Sequence, residues 1–157
     1  MSELRNAREI SLPMDASFRW SVGEYMERFF AELGEEKLVG IRCPSCRKVF
    51  VPPRMVCEYC FAETEGWVEV GPRATVVAFT VAHVEVDPKS GGLRDLEVPR
   101  IVALIRPDGA DSAFVHRVYE VGPEDMQVGM KLEPVWTAEP CGYLFDLPCF
   151  RPVKGGR

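Results

Sequence analysis

The chain has 157 residues, of which 46% are apolar, and its formal net charge is −5. This length can bury a substantial core, so we expect one compact unit, and the acidic balance argues against a nucleic-acid surface, which needs clustered Lys and Arg. No apolar run approaches about 18 residues and the first residues do not resemble a signal peptide, so we expect a cytoplasmic protein with no membrane segment.

The N-terminal part predicts an arm followed by a helix. Residues 1–16 lack a sustained period and are assigned to the arm. Residues 21–24 match a capping box, Trp20 and Tyr25 are placed to pack across it, and Gly34 is a suitable terminator. Apolar side chains recur at three- and four-residue spacing along one face, at Val22, Tyr25, Met26, Phe29, Phe30 and Leu33. This face either packs on its own domain or docks on a partner protein.

Two Cys-x-x-Cys pairs follow, separated by ten residues: Cys43, Cys46, Cys57 and Cys60. Each pair closes a tight turn, and two facing turns provide the tetrahedral ligand set of a metal ion. Two disulfides or redox dithiols fit this spacing less well. Zinc is the expected metal, with iron as the alternative for the same ligands. Four sulfur ligands leave no open position, so the metal should hold the fold and not do chemistry.

The remainder of the chain predicts short strands. Residues 37–42 and 49–51 flank the first cysteine turn, and from Trp67 onward the sequence is rich in β-branched residues. The later strands are expected at residues 67–70, 74–86, 98–105, 113–120, 130–136 and 143–145. One long strand near the start of five or six short ones predicts a small closed barrel, most simply an OB-fold.

The predicted architecture is therefore mainly β, with an N-terminal helix, a rubredoxin-like zinc ribbon and a C-terminal OB-fold barrel. The predicted boundaries are 1–36 for the arm and helix, 37–66 for the ribbon, 67–152 for the OB-fold and 153–157 for the tail.

This order of parts resembles the zinc-ribbon/OB-fold acyl-CoA-associated protein family over about residues 20–152. Besides the four cysteines, the shared features are Pro52-Pro53-Arg54, Gly71 before a strand with Thr75 and Thr80, Pro99, Glu124-Asp125 before Val128-Gly129-Met130, and Phe150-Arg151-Pro152. Arg47 departs from the pattern, because the family commonly has Gly after the second cysteine.

The resemblance implies an accessory acyl-CoA-binding or scaffold subunit of a thiolase-type complex that cleaves or forms a β-ketoacyl-CoA. The partner subunit would hold the catalytic residues, and this chain would hold none. Such subunits accompany thiolases, including the benzoylsuccinyl-CoA thiolase as its small subunit, and also acyl-CoA aldolases. Because coenzyme A carries phosphates, Arg54 and Arg100 are the candidate contacts, although surface arginines are more often simply solvated.

Two other classes of function are compatible with the residues. A nucleophile–base pair would need Cys141 or Cys149 beside His83 or His116, and no oxyanion-hole motif accompanies these residues. Zinc ribbons and OB-folds also occur in nucleic-acid-binding proteins, but the negative net charge opposes that function here.

Overall fold

The computed structural model describes residues 21–87 and 89–154. Its elements are α1 Glu24–Leu33, β1 Leu38–Arg42, β2 Val49–Phe50, β3 Trp67–Val70, β4 Ala74–Val86, β5 Leu93–Pro107, β6 Phe114–Val118, β7 Lys131–Val135 and β8 Cys149–Pro152. No helix in these two ranges is long and apolar enough to cross a bilayer. The predicted arm and most of the predicted tail lie outside the described residues.

The start of α1 differs from the predicted capping box. The N-cap is Gly23, with φ 79°, and no side chain caps the helix. The Ser21 hydroxyl instead accepts a hydrogen bond from the Gly23 N–H, at 3.2 Å, so it stabilises the turn before the helix. The helix ends next to Gly34, as predicted. Trp20, one of the two residues predicted to pack across the capping box, lies outside the described residues.

The apolar face of α1 packs on the protein's own core. Phe29 and Leu33 are 4% and 0% exposed, and Met26 and Phe30 pack against the same cluster. Val22, at the start of the face, stays exposed. Of the two interpretations of this face, packing within the chain is the one observed.

The ribbon contains a three-stranded antiparallel sheet in the order β2-β1-β3. Strand β1 is central, and its residue Gly40 faces the neighbouring strand so closely that a Cβ atom there would lie 2.8 Å from the Val49 side chain. Strand β3 pairs with β1, with Leu38 opposite Val70 and Ile41 opposite Trp67. Residues 67–70, assigned by sequence to the barrel, therefore complete the sheet of the ribbon.

The other five strands form a closed barrel in the order β4-β5-β6-β8-β7. Strands β4 and β7 close it through two residue pairs, one of them Ala74 opposite Leu132, and β6 meets β8 in parallel, with Val118 opposite Phe150. This strand order is that of an OB-fold, so the predicted mainly β architecture is confirmed.

The predicted strand at residues 143–145 is wrong. Leu144–Asp146 is a 3-10 turn, and the final barrel strand is β8. The reason is the carboxylate of Asp146, which accepts hydrogen bonds from the backbone N–H groups of Cys141, Gly142 and Tyr143 and so curls the chain. A chain folded around one of its own carboxylates cannot extend as a strand.

One hydrophobic core unites the helix, the ribbon sheet and the barrel. Its buried members include Leu33 from α1, Val39 from β1, and Val76 and Phe150 from the barrel. Two hydrogen bonds also connect the ribbon to the barrel. The Val49 N–H donates to the Asp111 carboxylate at 2.8 Å, and the Val51 N–H donates to the Ser112 hydroxyl at 2.7 Å. The ribbon and the barrel are thus packed as one body.

Candidate metal centre and adjoining cavity

The four ribbon cysteines converge on one point. All four sulfur atoms lie within 4.8 Å of one another, with Cys43 Sγ 3.4 Å from Cys60 Sγ and Cys46 Sγ 3.5 Å from Cys57 Sγ. A tetrahedral zinc ion with Zn–S bonds of about 2.3 Å requires sulfur–sulfur separations of about 3.8 Å. All four are free thiols, and the set fits a closed structural zinc site.

The two cysteine turns share one hydrogen-bond pattern. In the first, the Arg47 N–H donates to the Cys43 carbonyl at 2.9 Å, and in the second, the Phe61 N–H donates to the Cys57 carbonyl at 3.0 Å. Arg47 and Phe61 both adopt the left-handed conformation, with φ of 65° and 59°. Arg47 thus keeps the turn that a glycine would make, at the cost of a strained backbone.

Arg47→Gly is expected to raise the free energy of unfolding by about 0.5–1 kcal/mol, because glycine adopts a positive φ without steric cost. Chemical denaturation of the zinc-loaded protein measures the change. Arg47→Ala is the matched control: it removes the same exposed side chain but keeps Cβ, so we expect stability within about 0.5 kcal/mol of the wild type. Equal effects of the two variants would contradict a strained turn.

Backbone N–H groups point to the sulfur atoms of the cluster. The Cys46 N–H points to Cys43 Sγ at 3.5 Å, and the Tyr59 N–H to Cys57 Sγ at 3.4 Å. The backbone N–H of Ala62, followed by the Cys43 thiol, lowers the pKa of Cys60 to about 6. The Lys48 N–H lowers the pKa of Cys46, but burial and hydrogen bonds to the Cys57, Cys43 and Cys60 thiols outweigh it and raise that pKa to about 12. The thiols thus share protons with one another, and a metal ion takes the place of those protons because it binds the thiolate.

The structure places the two candidate coenzyme A contacts in different units. Arg54 lies on the ribbon, 4.7 Å above the Phe50 ring, and its guanidinium bonds the Glu58 carboxylate at 2.6 Å. Arg100 lies on β5 and bonds the Glu85 carboxylate at 2.5 Å. One arginine thus borders the metal site and the other lines a cavity at the barrel.

That cavity, of about 730 Å³, opens beside an irregular part of the β4–β5 pair. The pairing passes from Ala82 opposite Arg100 directly to Val84 opposite Asp95, so residues 96–99 bulge away from β4. The lining of the cavity includes Glu85, Arg94, Arg100, Arg117, Tyr119 and Glu120. Sequence reasoning missed the cavity, although Pro99 inside a predicted strand is a signal for a bulge.

The Glu85 carboxylate is shared by two cations in this cavity. Arg94 and Arg100 both bind it, each with a nitrogen–oxygen distance of 2.5 Å. The hydrogen bond from Arg94 and the charge of Arg100 lower the pKa of Glu85. Two guanidinium groups on one carboxylate leave an excess positive charge at the Arg94–Arg100 pair, whereas the lining of the cavity as a whole carries three arginines and four carboxylates.

The two cysteines outside the metal cluster, Cys141 and Cys149, do not form a nucleophile–base pair with a histidine. Cys141 hydrogen-bonds Asp146, whose charge raises the pKa of this thiol, and burial raises the pKa of Cys149. His116 packs against Phe150, and burial lowers its pKa. In residues 21–87 and 89–154, no hydrogen bond joins either of these cysteines to a histidine. Both thiols are therefore held in the unreactive, protonated form.

Comparison with known proteins finds two matching domain families and a similar archaeal protein. The ChsH2 rubredoxin-like zinc ribbon domain matches residues 30–65, and the ChsH2 C-terminal OB-fold domain matches residues 67–137. A DUF35 domain-containing scaffold protein of Methanocaldococcus jannaschii is 30% identical over 101 residues, which cover 63% of this chain and 67% of that protein.

Solved structures also share the fold, among them the following two. A chain of the Ltp2-ChsH2(DUF35) aldolase superposes with a TM-score of 0.63 at 24% identity, covering 85% of this chain and 98% of that one. A DUF35-family protein of unknown function from Sulfolobus solfataricus gives a TM-score of 0.59 at 27% identity, covering 84% of this chain and 85% of that one. Both alignments span most of the ribbon-and-barrel body.

Proposed function

Because this chain belongs to the DUF35 family of ChsH2-type zinc-ribbon and OB-fold proteins, we propose that it is an accessory scaffold subunit of a complex that acts on acyl-CoA thioesters. The single observation that carries the proposal is the pair of domain matches, ribbon then barrel, in a chain whose similar archaeal protein is named a scaffold. In this role the partner subunit carries out the reaction, and this chain positions the substrate.

The chemistry of the described residues supports a subunit without turnover of its own. The four-cysteine cluster fills the coordination shell of a metal, so it offers no position for water or substrate. Cys141 and Cys149 have raised pKa values and make no hydrogen bond to a histidine in the described ranges. We therefore assign the reacting groups to the partner, which would supply a nucleophile and an acid–base pair for a thiolase-type reaction.

The finer proposal is a thiolase-type partner that cleaves or forms a β-ketoacyl-CoA. An acyl-CoA aldolase is the second candidate, because a chain of this fold occurs in the Ltp2-ChsH2(DUF35) aldolase. In either case this subunit would narrow the site around pantetheine and exclude water. Positioning of that kind lowers the barrier without a catalytic residue in this chain.

Reconstitution tests the proposed function. The enzyme subunit that co-purifies with the native chain is identified by mass spectrometry, and the two subunits are then purified separately and mixed. Thiolysis of β-ketoacyl-CoA thioesters, including benzoylsuccinyl-CoA, and aldol cleavage of β-hydroxyacyl-CoA thioesters are followed for each subunit and for the pair. We expect activity of the pair alone. A partner as active without this chain, or turnover by this chain alone, would refute the proposal.

Arg100→Ala is expected to raise the KM of the complex for its acyl-CoA substrate about 3- to 10-fold, with kcat little changed. The physical reason is the loss of a charge-assisted hydrogen bond to a coenzyme A phosphate at a half-exposed position. We propose the same direction for Arg54→Ala. We expect a smaller increase in KM for Arg54→Ala than for Arg100→Ala. Glu58 alone neutralises Arg54, whereas Arg100 and Arg94 share one carboxylate.

Arg106→Ala is the matched control for these variants. Arg106 is exposed on the same strand as Arg100 but does not line the cavity. Steady-state kinetics of the reconstituted pair should give a KM for Arg106→Ala equal to that of the wild type. An unchanged KM for both Arg54→Ala and Arg100→Ala would remove these residues from the coenzyme A site.

A further inference from the structure

A single turn near the end of the barrel presents three consecutive large side chains to solvent. Tyr143, Leu144 and Phe145 are 62%, 50% and 75% exposed, and we call them the aromatic turn. Isolated exposed apolar residues are common on protein surfaces, but a contiguous group of this kind marks an interaction site.

The buried Asp146 side chain fixes the backbone of the aromatic turn through hydrogen bonds. This residue is 2% exposed, and its carboxylate accepts the N–H groups of Gly142 and Tyr143, each at 2.7 Å, and that of Cys141 at 3.1 Å. These bonds also lower the pKa of Asp146, so it is charged at neutral pH. A turn fixed in this way loses little conformational freedom on binding.

Stacked rings connect the aromatic turn to helix α1. The Tyr143 ring lies 6.5 Å from that of Phe30 at an interplanar angle of 18°, and the Phe145 ring lies 6.2 Å from that of Tyr143 at 17°. The end of α1 touches the same turn, since a Cβ atom on Gly34 would lie 2.8 Å from the Gly142 nitrogen. Rigid aromatic groups of this kind are typical binding hot spots.

The surroundings of the aromatic turn are acidic. A groove of about 410 Å³ between α1 and residues 140–142 is lined by Glu27 and Glu35, and Glu139 is exposed just before it. A second copy of this chain would bring two such acidic rims together, which like-charge repulsion disfavours. The complementary surface is an apolar pocket with Lys or Arg at its edge.

We propose that the aromatic turn is the anchor by which this chain docks on its acyl-CoA enzyme subunit, in an apolar pocket of that subunit rimmed by basic side chains. This inference rests on the proposed function, because it identifies the surface that meets the partner. Phe145 is the outermost ring and enters the pocket, while Tyr143 and Asp146 hold it in position. Glu27 and Glu35 meet the basic rim.

The test uses the full-length chain and the purified enzyme subunit that co-purifies with it. Phe145→Ser is expected to weaken binding, measured by calorimetry, about 30-fold or more, as for a hot-spot aromatic residue. Phe61→Ser is the matched control, since Phe61 is an 80% exposed ring on the ribbon, and its affinity should equal that of the wild type. Both variants should retain the wild-type melting temperature, because both rings are largely exposed.

The outcomes separate this inference from the proposed function. If the wild-type chain does not bind the subunit, the proposed function fails and the docking surface fails with it. If the wild type binds and Phe145→Ser binds equally well, the docking surface is wrong and the proposed function stands.

Hydroxyl-radical footprinting gives an independent readout. Oxidation of Tyr143 and Phe145 should be strong in the free chain and weak in the complex, with Phe61 as the internal reference. Protection that grows with the concentration of the free chain would identify a second copy as the occupant. Protection in the free chain that disappears when residues 1–20 are deleted would identify the N-terminal segment. Either result overturns the proposal.

Discussion

Replacement of Cys43 or Cys57 by Ser is expected to give a chain that binds less than one equivalent of zinc and does not fold stably. Both cysteines are 0% exposed and belong to the small cluster around Ile41 and Phe50. A structural zinc ion contributes on the order of 10 kcal/mol of apparent folding free energy. Typical domains have only about 5–15 kcal/mol in total, so this loss is decisive.

Elemental analysis and thermal unfolding followed by circular dichroism measure this effect. The wild type should contain one zinc ion per chain, and Cys141→Ser, an exposed cysteine outside the cluster, should retain it. A red protein would identify iron in place of zinc. Fully folded wild-type protein with neither metal would contradict the assignment of the cluster.

Phe150→Ala is expected to lower the free energy of unfolding by about 3–5 kcal/mol, because it leaves a cavity in the barrel core. Phe150 is 0% exposed, and its ring lies 6.0 Å from that of Phe114 and 5.6 Å from that of His116. Urea unfolding of the zinc-loaded protein gives the difference directly. Val115→Ala, which truncates a 66% exposed side chain on β6, should change stability by no more than about 0.5 kcal/mol. A loss below about 1 kcal/mol for Phe150→Ala would mean that the barrel collapses around the gap.

The metal site is predictable from sequence because its geometry is local. Cys43 and Cys60 lie within one short segment, and each Cys-x-x-Cys pair forms its own turn regardless of the remainder of the fold. The long β4 strand and the barrel class are predictable for a similar reason, since β-branched runs between turn residues determine strands locally. The OB-fold then follows from the number and order of the strands.

Long-range pairing accounts for most of what the sequence did not predict. Nothing within residues 67–70 indicates that they pair with β1 and not with a barrel strand, because both alternatives satisfy the same alternation. The sequence pattern predicts the apolar face of α1 but not what covers it, because that depends on where the barrel lies. The turn at Leu144–Asp146 has a strand-like composition, which the Asp146 side chain overrides through bonds to three preceding N–H groups.

The place of β8 between β6 and β7 has a consequence for how the protein is made. The ribbon sheet is complete once Val70 has been synthesised, whereas the barrel lacks an interior strand until residues 149–152 have left the ribosome. Until then β6 and β7 have exposed edges, which are prone to pair with other chains. A chain truncated before Cys149 should therefore hold a metal-loaded ribbon beside an open, aggregation-prone half barrel, because only the pairing of residues 149–152 with β6 and β7 closes the barrel.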